Sequence, residues 1–485
     1  MSDAAYTLRI AGAREPGARG TYDVVDPATE ELVGRAPEGS AAQAERAAAA
    51  ARDAFEPWSR TEPAARAALL ARAAELLRAR AESLVPLVIA ETGCTEAVAR
   101  QMQIPVAIAR FEDYARRALH SHVLPLAPQE MPATPLAPGG VVNAIARRQP
   151  VGVVACITPY NFPITNMAGK LGPALAMGNT VVVKPAPQDP LGVLRLVELL
   201  GEAGFPDGVV NVVTGSTPET GEALVASPDV DMVSFTGSTS VGTRIAETGA
   251  RTLKRMLLEL GGKGAALVLD DADVANAVRM IGSTFTFHSG QICTAPTRAI
   301  VHRSRFDEVV AGLAALAAGL PVGVPTDPKT VVGPVISAAQ RDRIEAWIAT
   351  AREDGGDVVA GGERPALARG FFAAPTLVTG PPSMRIAREE VFGPVVVAIP
   401  CDDDDEAIAI ANATEYGLYD YVFSRDAARA MAISRRLRSG NVGLDTTQRN
   451  HEAPFGGTKR SGVGRDGGEF GLHAYSELQS VVWAS

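Results

Sequence analysis

The segment HSGQICTAP, residues 288–296, holds Cys293 among Gly290, Gln291, Thr294 and Pro296. A cysteine used as small core filler ordinarily sits inside an apolar run. This placement suits a thiol that reacts. A cysteine that attacks a carbonyl needs a lowered pKa, an electrophile held beside it, and donors for the oxyanion that forms. In TPYNFP, residues 158–163, Asn161 follows a Val- and Ile-rich run, so its amide lies at a strand's carboxyl end as a candidate oxyanion donor. In LLELGGKG, residues 257–264, Glu259 stands in an apolar stretch that ends in two glycines. That setting raises a carboxyl pKa toward the range of a general base. His288 precedes Cys293 by five residues, a spacing that does not bring two side chains together on a helix face, so no Cys–His pair is expected.

The rest of the chain must position these groups. With 485 residues, 46% of them apolar, it has enough material for two or more cores. The formal net charge of −9 argues against a nucleic-acid-binding face, and the acidic run DDDDE at 402–406 is read as a solvated helix start. The four cysteines, at 94, 156, 293 and 401, lack C-x-x-C spacing, so neither a metal site nor a disulfide framework is expected. MSDAAYTLRI has no basic segment leading into an apolar core, and no apolar run reaches the roughly 18 residues that suggest a membrane span. The expectation is a cytoplasmic protein in which Cys293 stays a free thiol.

Ala-, Arg- and Leu-rich segments at 40–56 and 61–82 read as helices, the second opening with Thr61 as N-cap. From 119 to 148, prolines and glycines surround short β-prone pieces, which predicts an extended ribbon reaching toward another subunit. VGVVACI (151–157), NTVVVK (179–184), GVVNVV (208–213) and DMVSF (231–235) read as strands buried on both faces. Helices are expected between them near 165–177, 188–203 and 217–226, with another after 239. This alternation predicts a doubly wound parallel sheet with a nucleotide at the carboxyl ends of its strands. A second α/β region follows: GAALVL (264–269), a helix through 273–287, RAIVH (298–302), and helices near 305–319 and 337–354. The active site is expected in the cleft between the two.

Nine segments in order make the resemblance specific: PYNFP, GNTVVVKPA, FTGSTSVG, LELGGK, GQIC, EEVFGP, YGLYDYVFSRD, PFGGTKRSGVGRDGG and YSELQSVV. With them the chain resembles the aldehyde dehydrogenase superfamily over nearly its whole length. The resemblance implies two doubly wound α/β domains plus a small β oligomerisation ribbon. Residues 1–118 and 149–258 would bind the cofactor and 259–450 would form the catalytic domain. Residues 119–148 and 474–485 would form the ribbon, and 451–473 would return past the active-site cleft. The assembly implied is a homodimer or homotetramer, with the last strand pairing across a subunit boundary.

The resemblance also assigns roles. Cys293 matches the nucleophile, Glu259 the general base, Asn161 the oxyanion donor beside the Cys293 backbone N–H, and Lys170 a lysine that supports the proton path. Thr158, Pro159, Tyr160, Lys184, Pro187, Gly237, Ser238, Gly261, Glu390 and Phe392 fall to NAD or NADP. GSTSVG (237–242) opens a helix whose N–H groups suit a pyrophosphate. Phe162, Asn166, Gly169, Ile292, Thr294, Gln448, Arg449 and Phe455 fall to the substrate, a small-molecule aldehyde.

Two departures from the family pattern bear on specificity. Pro187 stands where NAD-preferring members carry a ribose-binding glutamate, so nothing there repels a 2′-phosphate and use of both cofactors is expected. Gly169 stands where a large ring is frequent, and TTQRNHE (446–452) brings polar residues to the entrance, so a wide and partly polar tunnel is expected. The implied reaction is oxidation of an aldehyde to its acid through a thioester. The alternatives are a CoA-acylating enzyme, whose members typically lack the glutamate matched by Glu259, a cofactor-free thiol hydrolase, and a non-catalytic binding protein on the same fold.

Overall fold

The structure, a computed structural model, describes residues 6–484. Its largest sheet has eight strands, in the spatial order Gly462–Val463, Arg255–Glu259, Met232–Thr236, Val153–Ile157, Thr180–Lys184, Val210–Val212, Leu8–Ile10, Ala13–Glu15. The five central strands are parallel. Every residue of Val153–Ile157 and Thr180–Lys184 is buried, as their unbroken Val and Ile content requires. Each such side chain withdrawn from water contributes about 1.5–3 kcal/mol. The parallel part of this sheet starts in the middle with Val153–Ile157, runs outward through Thr180–Lys184 and Val210–Val212, then returns to the other side through Met232–Thr236 and Arg255–Glu259. The direction of winding therefore reverses between Val153–Ile157 and Met232–Thr236, and their carboxyl ends splay apart into a crevice.

A second sheet of seven strands runs Asp357–Ala360, Thr376–Thr379, Val395–Cys401, Arg298–His302, Ala265–Val268, Tyr419–Phe423, Asn441–Leu444. All pairs are parallel except the edge pair between Asp357–Ala360 and Thr376–Thr379. Glu259 ends the last parallel strand of the first sheet, and only five residues separate it from Ala265, the start of the second. Carboxyl ends of the first sheet thus face amino ends of the second. The segment after 450 returns to the first sheet, where Gly462–Val463 pairs antiparallel with Leu258 and Glu259.

Most of the expected helices form, but the second runs on to Thr92 rather than ending at 82, the helix Ile104–Arg117 was not expected, and one cap differs. Ser40 caps Ala41–Ser59 in a capping box with Gln43. Thr61, the expected cap of the next helix, does not cap it. Pro63–Thr92 starts from Glu62 without a side-chain cap, while the Thr61 hydroxyl donates to Pro57 O at 3.3 Å. Proline at the first helical position needs no N–H partner, which fixes the start one residue beyond Glu62. The acidic run opens the helix Asp404–Asn412, with Asp403 accepting from the Glu406 N–H at 2.8 Å.

The Pro-rich excursion forms two strands, Val123–Met131 and Gly140–Pro150, joined by the terminal Ser476–Ala484 into a three-stranded antiparallel sheet. The last strand pairs along Gly140–Pro150 of its own chain, and its outer edge is open. Val123–Met131 is exposed along its whole length, and Leu478, Val482 and Trp483 also face outward.

Candidate active site

The crevice at the winding reversal opens into a cavity of about 750 Å³. Pro159, Tyr160 and Asn161 enter it from the end of Val153–Ile157, Thr236, Gly237 and Ser238 from the end of Met232–Thr236, and Glu259 and Gly261 from the next strand. Three adjacent strand ends thus meet, and Cys293 joins them from the amino side of Arg298–His302.

The loop before Cys293 is bent by three successive residues with positive φ: His288 at 47°, Ser289 at 56° and Gly290 at 72°. For the two non-glycines this conformation costs of order 1 kcal/mol or more each, so packing must enforce it. The Ser289 hydroxyl donates to Gly333 O at 2.7 Å, and the His288 ring lies 5.2 Å from that of Phe162. A Cβ at Gly290 would run into the Gly393 backbone. Burial pushes His288 down to about 4, so it is neutral near pH 7.

Asn161 is buried and faces the same loop. Its Nδ2 donates to Gln291 O at 2.9 Å, and its Oδ1 accepts from the Phe162 N–H at 3.1 Å. An amide nitrogen carries two hydrogens, so a second donor remains. Burial, with Glu390 and Glu259 nearby, drives the Cys293 thiol up to about 12, while Arg449 pulls the other way. The resting group is therefore a thiol.

Glu259 is 6% exposed, and no protein group hydrogen-bonds either carboxylate oxygen. Burial, then the Asp466 carboxylate, raises its pKa well above the ordinary value, against Lys170, Arg449 and Arg465. Lys170 lies behind the cavity rather than in its wall, donating to Ser234 Oγ at 3.0 Å, which in turn lies 2.8 Å from the Tyr475 hydroxyl. Asp466, unassigned from sequence, lines the cavity and accepts from the Gly467 N–H at 2.8 Å. It sits in PFGGTKRSGVGRDGG, two residues after Gly464, where a lone carboxylate among glycines was the available signal.

Glu390 and Phe392 stand on the opposite wall. Glu390 accepts from the Gly262 N–H at 2.9 Å, and a Cβ at Gly261 would come within 2.6 Å of its other oxygen. Phe392 has φ of 57°, a strained value for an aromatic residue. Gln340 holds it there, donating to Val391 O at 3.0 Å and Phe392 O at 2.8 Å, and Arg343 donates to Glu390 O at 3.0 Å. Both clamps come from the helix Ala338–Glu353, and neither was expected from sequence. Tyr160 meets Phe392 edge-on, with centroids 5.9 Å apart. Ser238 caps the helix Thr239–Gly249, accepting from the Val241 N–H at 3.4 Å. Bare glycine backbone at 237 and 261 next to a helix N-terminus fits a dinucleotide pyrophosphate and ribose. Thr158, Lys184 and Pro187 stand outside the cavity wall. Lys184 ends its strand, and burial lowers it to about 8 while Glu38 opposes the shift.

Of the residues assigned to the substrate by resemblance, Phe162, Asn166, Ile292, Thr294, Gln448, Arg449 and Phe455 line the cavity and Gly169 does not. A Cβ at Gly169 would overlap the Arg110 guanidinium, which comes from the helix Ile104–Arg117 and donates to Thr165 O at 3.0 Å. The missing ring therefore does not widen the tunnel, because an arginine distant in sequence fills the space.

The profile of the aldehyde dehydrogenase family matches residues 14–481. The chain belongs to the aldehyde dehydrogenase family. It is 37% identical to the 3-succinoylsemialdehyde-pyridine dehydrogenase of a Pseudomonas species, over 98% of this chain and 96% of that protein. It is 38% identical to the chloroplastic betaine aldehyde dehydrogenase of Beta vulgaris, over 97% and 94%. The NAD+ complex of the aldehyde dehydrogenase from Bacillus cereus superposes with a TM-score of 0.93 at 36% identity, over 99% and 97% of the two chains. The chain is accordingly an oxidoreductase that converts an aldehyde to the acid with a nicotinamide dinucleotide. None of its helices is long and apolar enough to cross a membrane, among the described residues.

Proposed function

We propose that Cys293 is the nucleophile, that Asn161 and the Cys293 backbone N–H receive the oxyanion, and that Glu259 activates the water that releases the acid. One observation carries this reading: Cys293, Asn161 and Glu259 open into the same cavity as Glu390 and Phe392. The Cys293 sulfur bonds to the aldehyde carbon, the carbonyl oxygen turns toward the Asn161 amide, and the thiol proton leaves through Glu259. Glu390, Phe392 and Gly237 would hold the nicotinamide cofactor, which would supply the acceptor for the hydride leaving this carbon. A thioester remains on Cys293. Glu259, free of protein hydrogen bonds, then takes a proton from water, the resulting hydroxide attacks the thioester, and the sulfur departs as the acid forms. Lys170, with Ser234 and Tyr475, forms the buried end of the proton path.

A buried carboxylate facing the thioester favours water over CoA as the acceptor. We assign residues 1–118 and 149–258 to cofactor binding, 259–450 to catalysis, 451–473 to the segment returning past the cleft, and 119–148 with 474–485 to assembly as a homodimer or homotetramer. The exposed apolar ribbon supports the last assignment. Four free thiols, one of them the nucleophile, support a reducing cytoplasm. The names of the relatives specify different aldehydes, so they share the reacting group and leave the remainder open. A panel of aldehydes assayed with NAD and NADP, for wild type and Cys293→Ser, tests the reading. Reduced-nicotinamide absorbance from wild type alone is expected; comparable rates from the variant overturn Cys293 as nucleophile.

A further inference from the structure

Two guanidinium groups enter the substrate side of the cavity from separate elements. Arg110 comes from the helix Ile104–Arg117, beside Thr165 O, over Gly169. Arg449 comes from the loop after Asn441–Leu444, with its Cζ 3.6 Å from the centroid of the Phe455 ring. Stacking on the ring fixes the direction of that guanidinium and leaves its N–H edges free for a planar acceptor. Both arginines line the cavity.

Neither forms an ion pair among the described residues. The contrast within one helix is informative, since Arg116 and Arg117 both pair with Asp113, at 3.1 and 2.7 Å. Although Arg449 is exposed as a whole, partial withdrawal of its guanidinium from water at the cavity wall lowers its pKa, and the Arg110 charge lowers it further, while Cys293, Asp466 and Tyr419 act in the opposite sense. Both guanidiniums line this one cavity, so the two like charges oppose each other there. The carboxylates nearby compensate only in part: Glu259 is driven toward its neutral form, and Asp466 is engaged by the Gly467 N–H. An anion placed between the guanidiniums removes the repulsion and accepts charge-assisted hydrogen bonds from both.

We propose that the substrate is an aldehyde carrying a second, carboxylate group, which Arg449 and Arg110 hold while its aldehyde carbon meets Cys293. The inference rests on the aldehyde-oxidation reading above. Arg449, Arg110 and Cys293 line one cavity of about 750 Å³, so the two ends of such a substrate are separated by a short chain. The fork of a guanidinium matches a carboxylate in two parallel hydrogen bonds, and an uncharged end group would leave both cations unpaired.

The test compares 4-oxobutanoate and 5-oxopentanoate, each against its methyl ester, in kcat/KM with NAD and NADP. At one chain length or both, wild type is expected to favour the acid by about tenfold or more, since only the acid accepts charge-assisted hydrogen bonds from the guanidiniums. Arg449→Met and Arg110→Met should each lower the acid-to-ester ratio by about tenfold, and succinate should compete with the aldehyde for wild type more strongly than for either variant. The wild-type ratio does not depend on whether the variants fold. Turnover of the esters with no preference for the acids overturns this inference and leaves aldehyde oxidation standing. An acid-to-ester ratio unchanged in both variants also overturns it, and no turnover of any of these four aldehydes by an enzyme that oxidises others in the panel overturns this inference alone.

Discussion

Replacing Glu259 by Gln should stabilise the fold above neutral pH while it damages the chemistry. Glu259 is buried, its oxygens meet no protein donor, and burial together with Asp466 raises its carboxyl pKa. The folded protein therefore keeps a proton that the unfolded chain releases once the pH passes the unfolded carboxyl value of about 4.3. Folding then takes up a proton, so this residue's contribution to stability falls as pH rises from there until the folded group itself ionises. Glutamine has no such ionisation. Its amide is as poorly partnered as the protonated acid, so the difference between variant and wild type should be small near pH 4. It should then grow with pH, by at most about 1.4 kcal/mol per pH unit for one proton, until the folded carboxyl itself ionises. Thermal and urea unfolding of both proteins across this pH range, without aldehyde, measure it. A variant less stable than wild type at pH 8, or a difference that does not change with pH, would refute the placement of Glu259 as a buried, unpartnered acid.

Other outcomes follow from the same geometry. Cys293→Ala should abolish turnover while NAD still binds in calorimetry, because the proposed cofactor wall consists of Glu390, Phe392 and Gly237; residual activity within a few-fold of wild type contradicts the covalent step. NADP should be used with a specificity constant within about tenfold of that for NAD, because a carboxylate at the ribose would discriminate by about 1–3 kcal/mol and Pro187 supplies none. Pro187→Glu should push the enzyme toward NAD, whereas a preference above about a hundredfold in wild type would mean that another carboxylate excludes the phosphate. The Glu38 carboxylate, held by the Ser216 N–H at 3.0 and 3.1 Å, is the one to mutate in that event. Deleting residues 477–485 removes the exposed Leu478, Val482 and Trp483 and should lower the particle mass in light scattering; an unchanged mass counts against the ribbon as the assembly surface.

The parts of this molecule set by local rules were legible in its sequence. Val153–Ile157 and Thr180–Lys184 read as buried strands because Val and Ile on both faces leave no solvent side, and the alternating helices then fixed the winding. Asn161 could be placed because it follows such a strand closely, and Glu259 because it stands in an apolar run that ends in two glycines. What depended on distant partners was not legible. Gly169 suggested empty space, and only the packing of the helix Ile104–Arg117 against Pro163–Met177 shows that Arg110 occupies it. The bend before Cys293 uses His288 and Ser289 at positive φ, residues that do not announce such a turn as glycine does. Asp466 reaches Glu259 through the return of the chain after the second sheet, a proximity no short window contains. Thr61 failed as a cap because Pro63 fixed the helix start first.

The central claim is that the acid forms through a thioester on Cys293 that Glu259-activated water hydrolyses. The direct measurement is the intact mass of Glu259→Gln, with peptide mapping, after mixing with aldehyde and cofactor, alongside rapid-mixing absorbance. The account predicts a burst of reduced cofactor followed by a slow phase, and an added acyl mass on the peptide containing Cys293. A variant that loses the burst as fully as it loses turnover, with no adduct on Cys293, would contradict it.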